Sequence, residues 1–212
     1  MSTPRYLSAD ERRAMTVRTV LELAATTDPA SITTATIAER MSLSQSAIFR
    51  HFPTKEAIWL ATVHWVTDHL MERVDRAAST APAPLAALEA VFLAHAAFAM
   101  ENPGVPRLVF SEMQRAGHSP VVEVVQAMLT GYRQRLEALI EQGRTLGEVS
   151  AEVEPPSAAT LFIGSIQGLV MQSMLANDMT RLERAAPAAF ALFRRAIATA
   201  PRDTAPGAAR PD

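Results

Sequence analysis

"TIAERMSLSQSAIFRHFPTKEAIW", Thr36 to Trp59, decides how this chain is read. It contains two apolar-periodic pieces of about two turns each, split by a short polar turn and followed by Arg50, His51 and Lys55. Helices that short are not stable alone in water. They persist when a third helix covers their shared apolar side. Ile37, Ala38, Met41, Leu43, Ile48 and Phe52 supply such an inner face, and Met15, Val17, Val20, Leu21 and Leu23 supply the lid. This is the three-helix logic of a helix-turn-helix unit.

The outer side would then show Ser44, Gln45, Ser46, Ala47, Phe49, Arg50 and His51, and no acidic residue occurs from Met41 to Lys55. A surface free of carboxylates is what a polyanion requires. Hydroxyls and backbone N–H groups at helix starts hold phosphates. A glutamine can pair with adenine, and a small methyl can rest against that of thymine.

Working outward, Ser8 with Glu11 forms a capping box for a first helix running to about Ala25. Residues 28–31 read as a loop. Thr33 caps a helix through Arg40, Ser42-Leu43-Ser44 is the turn, and the second short helix covers 45–52. Thr54 caps a long helix from Lys55 towards Ala78, roughly 35 Å in length. "STAPAP", residues 79–84, is a turn. Prolines and glycines then mark out helices over 85–101, 105–116, 119–143, 156–176 and 179–199, with Pro187 kinking or restarting the last. No strand alternation or internal repeat appears. The expected fold is all-α: a reading unit over 1–54, a larger helical unit over 55–200, and a disordered tail over 201–212.

Composition narrows the class. Hydrophobic residues make up 49% of the 212, enough for a sizeable core. The absence of Cys excludes disulfides and thiolate chemistry. The first residues lack the apolar centre of a secretory signal. The longest apolar run, Leu161 to Leu175, is interrupted by Ser165, Gln167, Gln172 and Ser173. It is also shorter than the roughly 18 residues of a spanning helix. The chain therefore reads as soluble and cytoplasmic, with no membrane partner. Net charge is −2, but residues 1–55 carry +2 and the remainder −4. The one lysine, Lys55, lies in the opening stretch.

The opening stretch resembles the DNA-binding domain of the tetracycline-repressor (TetR) family of bacterial transcription regulators. That family places a Thr at the start of its second helix, then Ile-Ala, a Gly-Val-Ser turn, a Tyr-x-His/Tyr-Phe run, and Lys-Glu at the opening of the fourth helix. Here those places hold Thr33, Ile37-Ala38, Ser42-Leu43-Ser44, Phe49-Arg50-His51-Phe52 and Lys55-Glu56. The match covers about residues 10–60. Two departures stand out. Ser42 replaces the turn glycine, at a cost of about 1 kcal/mol if φ is positive. Phe49 replaces the usual Tyr and so cannot reach a phosphate through a hydroxyl.

Carried over by position, the resemblance implies that Gln45, Ser46, Ala47 and Phe49 face the bases. Thr33, Thr34, Ser44, Arg50, His51 and Lys55 would hold phosphates. Lys55 at a helix start opposes the macrodipole, which a nearby phosphate would offset. The resemblance also implies a double-stranded DNA operator read by a homodimer, with half-sites roughly 34–36 Å apart, and a small-molecule effector. Effector contacts are expected from Phe92, His95, Phe98, Phe110 and Met113, and from Met128, Tyr132, Gln167 and Met171. The last two helices would form the dimer interface, through Phe162, Ile166, Leu169, Val170 and Ser173 and through Phe190, Phe193 and Arg194. Gly164 and Gly168, four apart, would admit a close partner helix.

No cofactor is implied. The five histidines contain no HxxxH pair, so no metal site is expected. No GxSxG, phosphate-binding loop or dinucleotide fingerprint occurs, and nothing points to an enzyme. The alternative reading is a helical module that binds a protein or a lipid-like ligand without DNA. Steep salt dependence separates the two, because only a DNA contact releases condensed counterions.

Overall fold

The computed structural model describes residues 8–114 and 119–200, and within them it is helical throughout. α1 (Ala9–Thr26) starts at the Ser8–Glu11 capping box. A 3-10 turn over Pro29–Ser31, capped by Asp28, occupies the segment read as a loop. α2 (Thr34–Arg40) and α4 (Lys55–Ser79) begin on the expected hydroxyl caps, Thr33 and Thr54, and α3 (Gln45–Phe49) is capped by Ser44, the last residue of the expected turn. α5 (Pro84–Glu101), α6 (Gly104–Met113), α7 (Pro120–Thr145), α8 (Pro155–Leu175) and α9 (Arg181–Ile197) complete the described chain. The expected tail over 201–212 and the join at 115–118 lie outside the described residues.

α3 is shorter than expected. The N–H groups of both His51 and Phe52 close on the carbonyl of Ile48, tightening the chain. Phe52 also precedes Pro53, which disfavours helical backbone at Phe52. Pro187 does not restart the last helix. It lies on the exposed side of a continuous α9, whose opposite side is fixed by Leu182, Ala186, Phe190, Phe193 and Ile197.

Two apolar cores meet at α1. Val20, Leu23 and Ala24 turn towards Ile37, Ala38, Ile48, Phe52 and the first turns of α4. That core also takes in Leu108 of α6 and Val121 and Val125 of α7. Val17 and Leu21 turn the other way, into the larger core of α4, α5 and α7–α9. The reading unit is thus embedded in the rest of the fold, not tethered to it. The contact is close at Gly104, where an added Cβ would fall 2.0 Å from the backbone oxygen of Leu21. At the far end, Ser150 N–H donates to the Ile197 carbonyl and Thr199 N–H to the Glu148 carbonyl, tying the loop after α7 to the end of α9.

α5 and α8 are, by length and composition alone, long and apolar enough to cross a membrane, as the core helices of soluble proteins also can be. α5 spends that apolarity internally, burying Leu88, Val91, Phe92, Ala96 and Phe98. α8 buries one side and leaves Leu161 and Leu175 exposed at 54% and 81%.

Candidate nucleic-acid interface and internal cavity

The face formed by α2 and α3 is built by side chains that bond to their own backbone. Thr33 Oγ1 accepts from Thr36 N–H at 3.1 Å, and Ser44 Oγ accepts from Ala47 N–H at 3.3 Å. Ser42 has a φ of 55°, the left-handed turn conformation that favours glycine. Its N–H donates to the Glu39 carbonyl and that of Leu43 to the Ala38 carbonyl, so the turn is closed despite the missing glycine. Ile48 and Phe52 anchor the face from below.

Across the turn, Gln45 Nε2 donates to Thr34 Oγ1 at 3.3 Å, and the Ser44 and Ser46 hydroxyls bond at 2.9 Å. Thr33, Ser44, Gln45, Ser46, Phe49 and Arg50 are exposed, while Thr34, Ala47, His51 and Lys55 are half-buried. All ten expected positions thus stay accessible beside one turn. Phe49 is 43% exposed although large and apolar, whereas Phe52 is buried, so the two phenylalanines have opposite roles.

Two features were not legible in the sequence. Arg13 of α1 donates to the His51 carbonyl at 2.7 Å, and its guanidinium lies 4.5 Å from the Phe52 ring centre. It thereby clasps α1 to the end of α3. Lys55 Nζ lies 4.7 Å from the Trp59 ring centre. That cation–π contact supplies a favourable term inside the chain against the opposing helix dipole.

The chemistry this face offers is specific. Gln45 presents a donor and an acceptor in one plane, as adenine pairing requires. Phe49 and Ala47 present apolar atoms, and the hydroxyls with Arg50 and Lys55 present hydrogen-bond donors of the kind that hold phosphates.

Behind this unit lies a cavity of about 90 Å³. His95 and Phe98 of α5, Phe110 and Met113 of α6, Met128 and Tyr132 of α7, and Gln167 of α8 all line it, as expected. Phe92 and Met171 do not. Phe92 is fully buried in an aromatic cluster, edge-on to Phe162 at 5.1 Å and near Phe190 at 5.6 Å, and Met171 lies on the outer side of α8. Sequence reasoning missed the walls given by Val66 and Leu70 of α4 and by Val105, Pro106 and Val109 of α6. These are ordinary core residue types and carry no signal of a hollow beside them.

The polar group inside is a pair: His95 Nδ1 and the Tyr132 hydroxyl meet at 3.2 Å. His95 keeps some accessible area where it borders the cavity, yet the fold encloses it, and this desolvation lowers its pKa to about 4. Desolvation also raises that of Tyr132. At neutral pH both are uncharged, and the cavity lining holds no charged side chain.

The expected dimer contacts need correction. Phe162, Ile166, Val170, Ser173, Phe190 and Phe193 are buried within the chain's own core, and Ile166 and Val170 line the cavity. A partner could touch them only by opening that core. Leu169 is half-buried against the same core, and Arg194 alone of the eight is exposed. The outer side of α8 carries instead Leu161, Gly164, Gly168, Met171 and Leu175. Among the described residues no cluster of His, Asp or Glu is arranged to hold a metal.

Comparison with known proteins agrees with this architecture. Residues 17–62 match the family model "Bacterial regulatory proteins, tetR family", and residues 109–189 match "Tetracyclin repressor-like, C-terminal domain". The two together cover more than half of the chain. Among curated relatives, the nucleoid occlusion factor SlmA of Marinomonas sp. is 26% identical over 133 residues, 63% of this chain and 66% of that protein. SlmA of Aliivibrio fischeri is 26% identical over 175 residues, 79% and 85% of the two chains.

Among solved structures, a TetR transcriptional regulator from Chloroflexus aurantiacus superposes with a TM-score of 0.77 at 21% identity, covering 91% of this chain and 98% of that one. The regulator FadR of Bacillus subtilis, solved in complex with stearoyl-CoA, superposes with a TM-score of 0.72 at 16% identity, covering 85% and 96%. The caps of α2–α4, the left-handed turn at Ser42 and the inward-facing Ile48 and Phe52 all fall within the matched residues 17–62, and this chain belongs to the tetracycline-repressor family of bacterial regulatory proteins.

Proposed function

We propose that the chain is a cytoplasmic, homodimeric transcription repressor that reads a palindromic operator and is released by a small, mainly apolar molecule. It acts without a cofactor and without catalysis. Residues 1–54 form the reading unit and 55–200 the sensing and pairing unit. The observation that carries this reading is the exposed surface of α3, with no carboxylate from Met41 to Lys55 and with Gln45 bonded to Thr34 of α2. Gln45, Ser46, Ala47 and Phe49 meet base edges. Thr33, Thr34, Ser44, Arg50, His51 and Lys55 meet phosphates.

Pairing falls to the outer side of α8. Leu161, Gly164, Gly168, Met171 and Leu175 follow a 3-4-3-4 spacing, the seam that one helix presents to another. A Cβ at either glycine would meet nothing within 4 Å, so a partner helix has room to approach. Leu192 of α9, 62% exposed, extends the apolar area.

Sensing falls to the cavity. Its apolar walls and uncharged His95–Tyr132 pair suit a neutral or weakly polar group, and the neighbour bound to stearoyl-CoA supports a fold able to take up an apolar chain. α6 joins the two functions. It supplies Val105, Pro106, Val109, Phe110 and Met113 to the cavity, while its first residue rests on the Leu21 backbone of α1. A ligand that shifts α6 shifts α1, and it releases DNA only by the margin with which it prefers the shifted form.

Selection of bound fragments from random DNA tests the reading. A palindrome with half-sites roughly one or two helical turns apart is expected. Recovery of no enriched sequence at low salt would overturn it.

A further inference from the structure

The cavity alone is too small for its proposed task. Ligand sites usually measure roughly 300–1,000 Å³, whereas this one holds about 90 Å³. A second hollow of about 290 Å³ lies between α7 and α8 and opens to the surface. Two residues, Leu129 and Gln167, line both. They form a shared wall between an apolar chamber and a more open groove. Together the two volumes reach the usual range, and the residues they share, Leu129 and Gln167, have flexible side chains.

The two compartments differ in chemistry. The inner one carries no charged side chain among its lining residues. The outer one carries a single charged side chain, Arg133, with the hydroxyls of Thr130 and Thr160. Arg133 is half exposed, and its pairing with Glu137 is long, 3.7 Å through Nε. An exposed pair of that geometry holds an arginine weakly, so the guanidinium can turn to an incoming anion, for which its planar fork is well suited.

We propose that chamber and groove form one effector site, gated by Leu129 and Gln167, for an amphiphile whose apolar chain enters past the gate and whose anionic head, a carboxylate or a phosphate ester, remains at Arg133. This rests on the sensing role given to the cavity above, and adds the class of ligand and its path of entry. Gln167 swings from the wall to the head group, and Leu129 yields to the chain. Glu137, on the same helix face, is the group the head must displace from Arg133.

The test uses the full-length protein and three probes of equal chain length: decanoate, decyl phosphate and 1-decanol. Binding is followed by tryptophan fluorescence, since Trp65 stacks on Phe98 of the cavity wall with ring centres 6.4 Å apart. Wild type is expected to bind one or both anions at least tenfold more tightly than the alcohol. Arg133→Ala should weaken the preferred anion about tenfold and leave the alcohol unchanged, and Arg133→Lys should recover part of the loss. The ratio of decanoate to decyl phosphate identifies the head group. Equal affinity for anion and alcohol, or indifference to Arg133→Ala, overturns the two-compartment site and leaves the inner chamber as sensor. Failure of all three probes to bind overturns both.

Discussion

Gly104→Ala is the perturbation whose sign follows most directly from the structure. The added methyl would fall 2.0 Å from Leu21 O, 2.9 Å from Leu21 C and 3.0 Å from Ala25 N. All three are backbone atoms, so no side-chain rotation relieves the overlap. Ordinary contact begins at 3.4 Å, and the start of α6 must therefore retreat from α1 by more than 1 Å. Overpacking of this kind costs typically about 1–3 kcal/mol. Alanine's higher helix propensity acts in the opposite direction by at most about 1 kcal/mol. We expect a net loss of about 1–2 kcal/mol, read as a lower urea midpoint with unchanged slope at fixed protomer concentration. The variant should also lose operator affinity, although Gly104 lies away from the α2–α3 face. A variant as stable as wild type or more so would refute the close α1–α6 contact and, with it, the path proposed from cavity to reading unit.

Two further outcomes follow from other parts of the fold. His95 has its pKa lowered by burial to about 4, against 6.5 as the ordinary value, so the unfolded chain takes up this proton first. Stability should fall as pH drops from about 6.5 towards 4, by up to about 3 kcal/mol, and His95→Gln should flatten that part of the pH profile in thermal melts; an unchanged profile contradicts the buried neutral imidazole. Leu161→Arg combined with Leu175→Arg places two charges on the exposed seam of α8. Sedimentation should show monomers of unchanged helical content and weakened operator binding, and a persistent dimer would move the interface elsewhere.

The parts of the fold legible in the sequence are those set by local chemistry. Ser8, Thr33 and Thr54 start helices because a hydroxyl oxygen takes up an orphan N–H three residues on, and that needs no knowledge of the tertiary fold. The positive φ at Ser42 was expected only from the turn glycine of the resembled family, since serine itself does not signal it. The end of α3 was misplaced because Ile48 O draws in two N–H groups at once, a closure that no apolar pattern encodes.

The residues of α8 expected at a partner lie mostly on its inner side. A helix apolar all round gives no periodic signal of which side faces its own chain. Phe162 and Ile166 turn inward because the aromatic rings of Phe92 and Phe190 and the chamber beside Tyr132 are there to receive them. Arg13 was unreadable for a different reason. Its partner, the His51 carbonyl, is a backbone atom 38 residues away. His95 and Tyr132 were legible as polar groups among apolar neighbours, but not as a bonded pair.

The central claim is that the α2–α3 face enters the major groove of duplex DNA with Gln45 at a base. Affinity of wild type and Gln45→Ala for a selected operator, each against unrelated duplex over a range of salt concentrations, tests it most directly. Wild-type binding should fall steeply and linearly on a log–log salt plot. Gln45→Ala should lose about 1–3 kcal/mol of discrimination while keeping its affinity for unrelated DNA. Binding that ignores salt, or full discrimination retained without Gln45, would contradict the account.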